Sequence, residues 1–283
     1  VPNSGKGDYA LQIDAIVTDL DDTLLNAQSE LSPYTLDVMR RAKARGIRLI
    51  PASGRTSFSM LRFLRQLDTG LPYIACNGGE LVNADHTLMQ AFEFSPEQAR
   101  AIIRYLRARD FYVQCYRGEN FYYDEECDAS ANYANSSHMH GHAVVNLEKF
   151  VDFDTPKVLG VQTPEEVARM YPVIQTVFPD VSFTISKPYF LEAQPFGISK
   201  GSALRRLADI MRLSPEHTLV FGDSLNDVSM LNYATHSVAM GNARDEVKRA
   251  ARHVCATNAE DGVARFVDEF VLQDGNPKGS DSP

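Results

Sequence analysis

The sequence predicts a doubly wound α/β protein split by an α+β insertion, and three observations carry that prediction. Apolar strand-like runs alternate with amphipathic helical stretches in the first and last parts of the chain. Three of those runs end in polar residues that a parallel sheet would bring to one edge. The middle, from about 84 to 187, has a different texture, rich in aromatic strand candidates.

The first strand is DAIVTD (14–19). A helix starts near Ser32-Pro33, runs through TLDVMRRAKARG and stops at Gly46, which is ordinary helix punctuation. The strand IRLIPAS, a helix from Thr56 to about Leu67 and the strand PYIACN follow. Within the insertion come the helix PEQARAIIRYLRARD, the strands FYVQCYR and ENFYYDE, and a loose polar stretch, SANYANSSHMHGH. KVLGVQ, the helix PEEVARMYPVIQTVF and VSFTIS complete it as antiparallel strands and a helix. Alternation then resumes: ISKGSALRRLADIMRL is helical, HTLVFGD a strand, NDVSMLNYA a helix and HSVAMG a strand. DEVKRAA and EDGVARFVDEFVL finish as helices. The expected organisation is a core of 13–83 and 188–272, an inserted cap of 84–187, and unstructured ends at 1–12 and 273–283. The opening residues lack an initiating Met and a signal-peptide pattern, and read as unstructured or as a processing remnant.

Lys and Arg number 28 against 37 Asp and Glu, a formal charge of -9, which argues against nucleic acid as a partner. No uninterrupted apolar run approaches the roughly 20 residues of a membrane span. The four cysteines (Cys76, Cys115, Cys127, Cys255) have no CxxC spacing and read as reduced thiols of a cytoplasmic protein. A monomer or small homo-oligomer is expected.

IVTDLDDTLLN places Asp19, Asp21 and Asp22 within four positions, an arrangement that repels itself unless a cation sits among the acids. The strand ends bring Asp19, Ser53 and Asp223 to one edge, with Asn226 and Asp227 in the next helical turn and Lys200 at a helix start. Asp19 and Asp223 suit a hard divalent cation, and magnesium favours carboxylates, waters and substrate phosphate. One carboxylate can attack phosphorus, and a second, two residues on, can protonate the leaving alcohol and then activate water. Ser53 and Lys200 would steady the transferring phosphoryl oxygens.

Four segments also carry a resemblance. DLDDT resembles the first motif of the haloacid dehalogenase-like (HAD) superfamily, ASGR the second, SKG the third and GDSLND the fourth. YIACNGGE, FLEAQPFGISKGSAL, VAMGNARDEVKRAA and TNAEDGV are similar to segments of its Cof-type phosphatases, which carry a large α/β cap between the second and third motifs. The resemblance covers about Ile13 to Phe270. It implies a Rossmann-like HAD core with Asp19 as nucleophile and Asp21 as acid/base. Ser53, with Gly54 of the same motif, and Lys200 would bind phosphate. Mg2+ would be held by Asp19, the Asp21 carbonyl and Asp223, with Asn226 or Asp227 touching it directly or through a neighbouring ligand. The implied substrate is a small phosphorylated metabolite, a sugar phosphate or a phosphorylated cofactor, and the implied alternatives are a phosphotransferase or mutase, or a non-catalytic HAD-fold regulator. Asp22 stands where many members have Gly, and Ser53 where many have Thr.

Several residues keep two readings. Asp227 either ligates the metal or complements a helix dipole. Arg55 either reaches phosphate or makes a surface salt bridge. Asn77, with Gly78-Gly79, either touches substrate or makes a turn. HMHGH (His138 to His142) lacks the usual metal-ligand spacings and reads as a solvated cap loop. Tyr116, Tyr122 and Tyr123 are most simply cap core, with one or two of them candidates for the substrate pocket.

Overall fold

The structure, a computed structural model, describes residues 11–273. Its central sheet is parallel, in the order β14-β13-β12-β1-β2: His253–Val254 (β14), His236–Ala239 (β13), Thr218–Gly222 (β12), Ala15–Thr18 (β1) and Arg48–Pro51 (β2). The inner strands β1 and β12 are buried on both faces, as parallel strands with helices above and below must be. After β1 the chain winds to one side through β2, and it later returns to the other side through β12 and β13. The winding therefore reverses between β1 and β12, and the crevice beyond their C-terminal ends is where such sheets bind ligands. Pairing of Thr18 with both Phe221 and Pro51 sets Asp19, Asp223 and Ser53 just beyond that edge. The doubly wound fold is as the alternating pattern predicts.

Helices α1 (Pro33–Ala44) and α2 (Ser57–Leu67) start at caps Ser32 and Thr56, whose side chains accept N–H groups left open by the first turn. A three-stranded antiparallel sheet, β3 (Tyr73–Ala75), β4 (Glu80–Val82) and β5 (Leu88–Ala91), leads out of the core. The inserted sheet has six strands in the order β10-β11-β9-β6-β7-β8: Val181–Ile185, Phe190–Pro195, Val158–Val161, Tyr112–Arg117, Asn120–Tyr123 and His140–Ala143. Helices α3 (Pro96–Arg107), α4 (Asp128–Ser137), α5 (Leu147–Phe150) and α6 (Pro164–Val177) belong to the same stretch of chain. Apolar burial divides accordingly. One core gathers residues from 13–82 and 203–272, and a second gathers residues from 94–193. β5 pairs with β4, and β11 pairs with both β10 and β9 in the antiparallel sheet.

One stretch differs from the sequence reading. SANYANSSHMHGH is not loose: most of it is α4, and His140–Ala143 is β8, paired in parallel with β7. His138 closes α4 in the left-handed conformation, and the exposed His142 Nε2 lies 2.8 Å from Asn120 Oδ1. Among the described residues, these histidines form no group able to hold a metal.

Back in the core, α7 (Lys200–Met211) and the short α8 (Val228–Leu231) pack closely enough that a Cβ at Gly201 would lie 2.2 Å from the Ser229 carbonyl oxygen. Only glycine permits that approach, and it holds the Lys200 turn against α8. Helices α9 (Asp245–Ala250) and α10 (Gly262–Phe270) complete the core. All four cysteines are free, and among the described residues no helix is long and apolar enough to cross a membrane.

Candidate active site

Asp19 leaves the end of β1, and Lys200 enters from the first turn of α7. The Lys200 Nζ donates to Asp19 Oδ1 at 2.5 Å and to Asp227 Oδ1 at 2.6 Å, with the lysine wholly buried. A cation at a helix N-terminus opposes the helix dipole, so these two carboxylates have to hold it there. Burial alone would pull the Lys200 pKa down, but Asp19 and Asp227 outweigh it and raise the value, keeping the ammonium charged.

Asp227 is fixed from its other side. Its Oδ2 accepts the backbone N–H groups of Asp223 at 2.9 Å and Ser224 at 3.0 Å. Gly222 makes room for this, since a Cβ there would sit 2.4 Å from the Asp227 Cβ. Asp223 accepts from Thr23 Oγ1 at 2.9 Å on Oδ1 and from Ser224 Oγ at 2.9 Å on Oδ2. Thr23 and Ser224 were missed as site residues. Both lie inside the quoted motifs, but nothing in their spacing shows that they orient a carboxylate.

Carboxylate oxygens of Asp19, Asp223 and Asp227 all lie within 4.8 Å of one another. Three carboxylates around one ammonium leave two negative charges, which is the charge of one divalent cation. Burial pushes the Asp19 carboxyl well above the usual range, Lys200 opposes it, and Asp227, Asp223 and Asp21 add to the rise. Burial, then Asp227, pushes Asp223 up to about 7. The Asn226 Oδ1, beside them in sequence, is buried and accepts no hydrogen bond. An oxygen-rich, over-negative cluster with a spare acceptor fits a hard divalent metal, through Asp19 and Asp223. Asp227 is less available, because Lys200 and two N–H groups occupy both of its oxygens.

A pH dependence follows. Between about pH 4 and pH 7 the metal-free fold keeps a proton on Asp223 that the unfolded chain has lost, so Asp223 makes stability fall as pH rises through that window. Metal must displace that proton at the acid end. The rise in melting temperature on adding Mg2+, read by scanning fluorimetry, is therefore expected to be larger at pH 8 than at pH 6. An equal or smaller rise at pH 8 would count against Asp223 as a ligand.

Asp21 does not join this cluster through its carboxylate. Arg55 holds it with two parallel bonds, Nε to Oδ2 at 2.8 Å and Nη2 to Oδ1 at 2.7 Å. Burial would raise the Asp21 pKa, but the Arg55 charge and hydrogen bonds prevail and lower it. Arg55 is thus no surface salt-bridge residue. It is nearly buried, and its Nη1 also donates to Ser59 Oγ at 3.1 Å and to the Ser136 carbonyl, near the end of α4, at 2.9 Å.

Ser53 is fully buried, and its Oγ accepts the Arg55 N–H at 3.2 Å, while Gly54 lines the cavity. Asn77 lies in a turn, with φ 52°, and joins buried Glu192 to half-buried Asn226: it donates to Glu192 Oε2 at 3.2 Å and accepts from Asn226 Nδ2 at 2.8 Å. Asp22, exposed at the cavity edge, has φ 57°. That left-handed conformation is one glycine adopts freely and Asp tolerates, which accounts for Asp at a glycine-like position.

Core and inserted unit together line a partly open cavity of about 70 Å³ above Asp19 and Asp21. Its roof includes Tyr133, Lys157, Lys187, Phe190 and Glu192. Lys157 donates to Glu192 Oε2 at 2.7 Å and to the Gly54 carbonyl at 2.9 Å, a buried pair that ties the roof to the loop after β2. None of these five is marked in the sequence. Tyr116, Tyr122 and Tyr123 pack among cap aromatics, and Tyr133 is the tyrosine that faces the cavity.

The sequence profile of the haloacid dehalogenase-like hydrolases matches residues 16–267. The chain belongs to that family, as an enzyme of its Cof-type phosphatase branch. A putative phosphatase of Haemophilus influenzae is 31% identical over 90% of this chain and 97% of its own length. The 5-amino-6-(5-phospho-D-ribitylamino)uracil phosphatase YwtE of Bacillus subtilis is 29% identical, over 90% and 97%. The crystal structure of a haloacid dehalogenase-like hydrolase from Bacteroides thetaiotaomicron superposes with a TM-score of 0.80 at 28% identity, covering 91% of this chain and 99% of that one.

Proposed function

We propose that this protein is a Mg2+-dependent phosphatase that hydrolyses a small phosphorylated metabolite through a phosphoryl group carried on Asp19. The observation that carries the reading is the pairing of Asp19 with buried Lys200 beside Asp223, while Asp21 faces the same cavity in Arg55's grip. Lys200 orients the Asp19 oxygen for attack and stays charged to meet the phosphoryl oxygens. The Gly54 backbone borders the space where those oxygens would lie, and Ser53 shapes its loop from below. Bound by Asp19, the Asp21 carbonyl and Asp223, Mg2+ would neutralise charge on the phosphoryl group. Asp21 gives a proton to the leaving alcohol and, as a carboxylate, takes one from the water that then attacks phosphorus. A phosphate dianion arriving next to Asp21 raises its pKa and so supplies the protonated form that the first step needs. Relatives at comparable identity support a small substrate. Besides the Bacillus subtilis enzyme, the pyridoxal phosphate phosphatase YbhA of Escherichia coli is 27% identical over 91% of this chain and 98% of its own length.

The test is phosphate release from a panel of sugar phosphates, phosphorylated cofactors and an aryl phosphate, with Mg2+ and with a chelator. Release that needs Mg2+ is expected. Phosphate kept on an organic acceptor would indicate a phosphotransferase, and no reaction across the panel would indicate a non-catalytic HAD-fold protein.

A further inference from the structure

We propose that Lys187 selects monoesters whose leaving group carries a second anionic group, a carboxylate or a further phosphate. This rests on the phosphatase reading and adds the chemistry of the leaving group to it.

Four cationic side chains border the cavity or its floor, and three are committed. Lys200 is held by Asp19 and Asp227, Arg55 by Asp21, and Lys157 by Glu192 and the Gly54 carbonyl. Lys187 is different. Among the described residues its ammonium makes no hydrogen bond or ion pair, and its Nζ stands 5.9 Å from the centroid of the Phe190 ring. Glu192 does not serve it: its oxygens accept from Lys157, Asn77 and Ser186 instead. Asp22, the other acid at the cavity edge, makes no ion pair with it either.

Lys187 is placed by its backbone. It sits in the turn between β10 and β11, where its carbonyl accepts the Phe190 N–H at 2.9 Å and Pro188 follows directly. The side chain is half-buried in the cavity roof. Lys187 and Asp21 line the same cavity, one from its roof and the other from its floor. Asp21 marks the oxygen of the leaving group, so Lys187 overlooks the far part of that group and not the phosphoryl site. A partly desolvated, unmatched ammonium costs free energy unless an anion meets it. The Lys200 site answers the phosphate, so Lys187 answers a second charge on the same substrate. Phe190 and Tyr133 beside it leave an apolar flank for the carbon frame.

Phosphoglycolate and hydroxyethyl phosphate test this, because they differ in one carboxylate. Wild-type protein with Mg2+ is expected to prefer phosphoglycolate in kcat/KM by about tenfold or more, mostly through KM, as a charged hydrogen bond provides. Lys187→Met should bring the ratio of the two kcat/KM values close to one, Lys187→Arg should preserve it, and Lys187→Glu should invert it. An unchanged ratio in Lys187→Met, or equal wild-type use of both esters, overturns the assignment. If neither ester nor an aryl phosphate is hydrolysed, the phosphatase reading falls and this inference with it. If both are hydrolysed without preference, only the role of Lys187 falls.

Discussion

Asp19→Asn is expected to lower turnover of an aryl phosphate by about 10,000-fold or more, the scale on which loss of a nucleophile acts. The fold should survive, because the Asn carbonyl can still accept from Lys200 and Asp227 continues to pair with it. The metal-free variant should melt no lower than wild type. Asp19 is one of three acids crowding a single ammonium, and burial already drives its carboxyl towards protonation. A neutral isostere relieves that crowding. Phosphate release measured beside a thermal melt checks both halves. Near-wild-type turnover would remove Asp19 from the reaction, and a collapse in melting temperature would mean that its charge is structural.

Lys200→Met should behave in the opposite way on stability while also abolishing activity. Removing the buried ammonium leaves Asp19 and Asp227 without their cation, and breaking a buried pair from one side costs about 3–5 kcal/mol. Urea unfolding monitored by circular dichroism should show the midpoint fall by a corresponding amount. Mg2+ should recover more stability in this variant than in wild type, because the metal then carries more of the neutralisation. A Lys200→Met protein as stable as wild type without metal would show that the acids are protonated and that the lysine is not their counter-charge.

The two variants also show which parts of the site were legible in the chain. Asp19 and Asp223 could be read because a parallel sheet gathers its strand ends at one edge, whatever their separation in sequence, and Lys200 because a cation is out of place at a helix start. Arg55 could not be placed. Whether it is buried depends on Asp21 from one side and the Ser136 carbonyl from the other, and neither contact is local. The helix α4 was hidden for a related reason. DASANYANSS is built of residues that compete for their own backbone, so it reads as loop. Its last carbonyls are met from the core, with Arg55 donating to Ser136 and Ser59 Oγ donating to Ser137 at 2.6 Å. Lys157 opens KVLGVQ, which reads as a plain strand, and Glu192 lies in FLEAQP, which forms β11. Glu192 pairs with Leu159 across the sheet, and Lys157, two residues before it, shares that face. Period-two patterning cannot announce such a pair, because register between distant strands is set by tertiary structure.

Whether phosphate passes through Asp19 is tested most directly by the stereochemical course at phosphorus. A substrate monoester made chiral at phosphorus with sulfur and oxygen isotopes would be hydrolysed in isotopically labelled water, and the configuration of the released thiophosphate determined. Two in-line displacements, first by Asp19 and then by water, predict net retention. Net inversion would mean that water attacks the substrate directly, and would contradict the account.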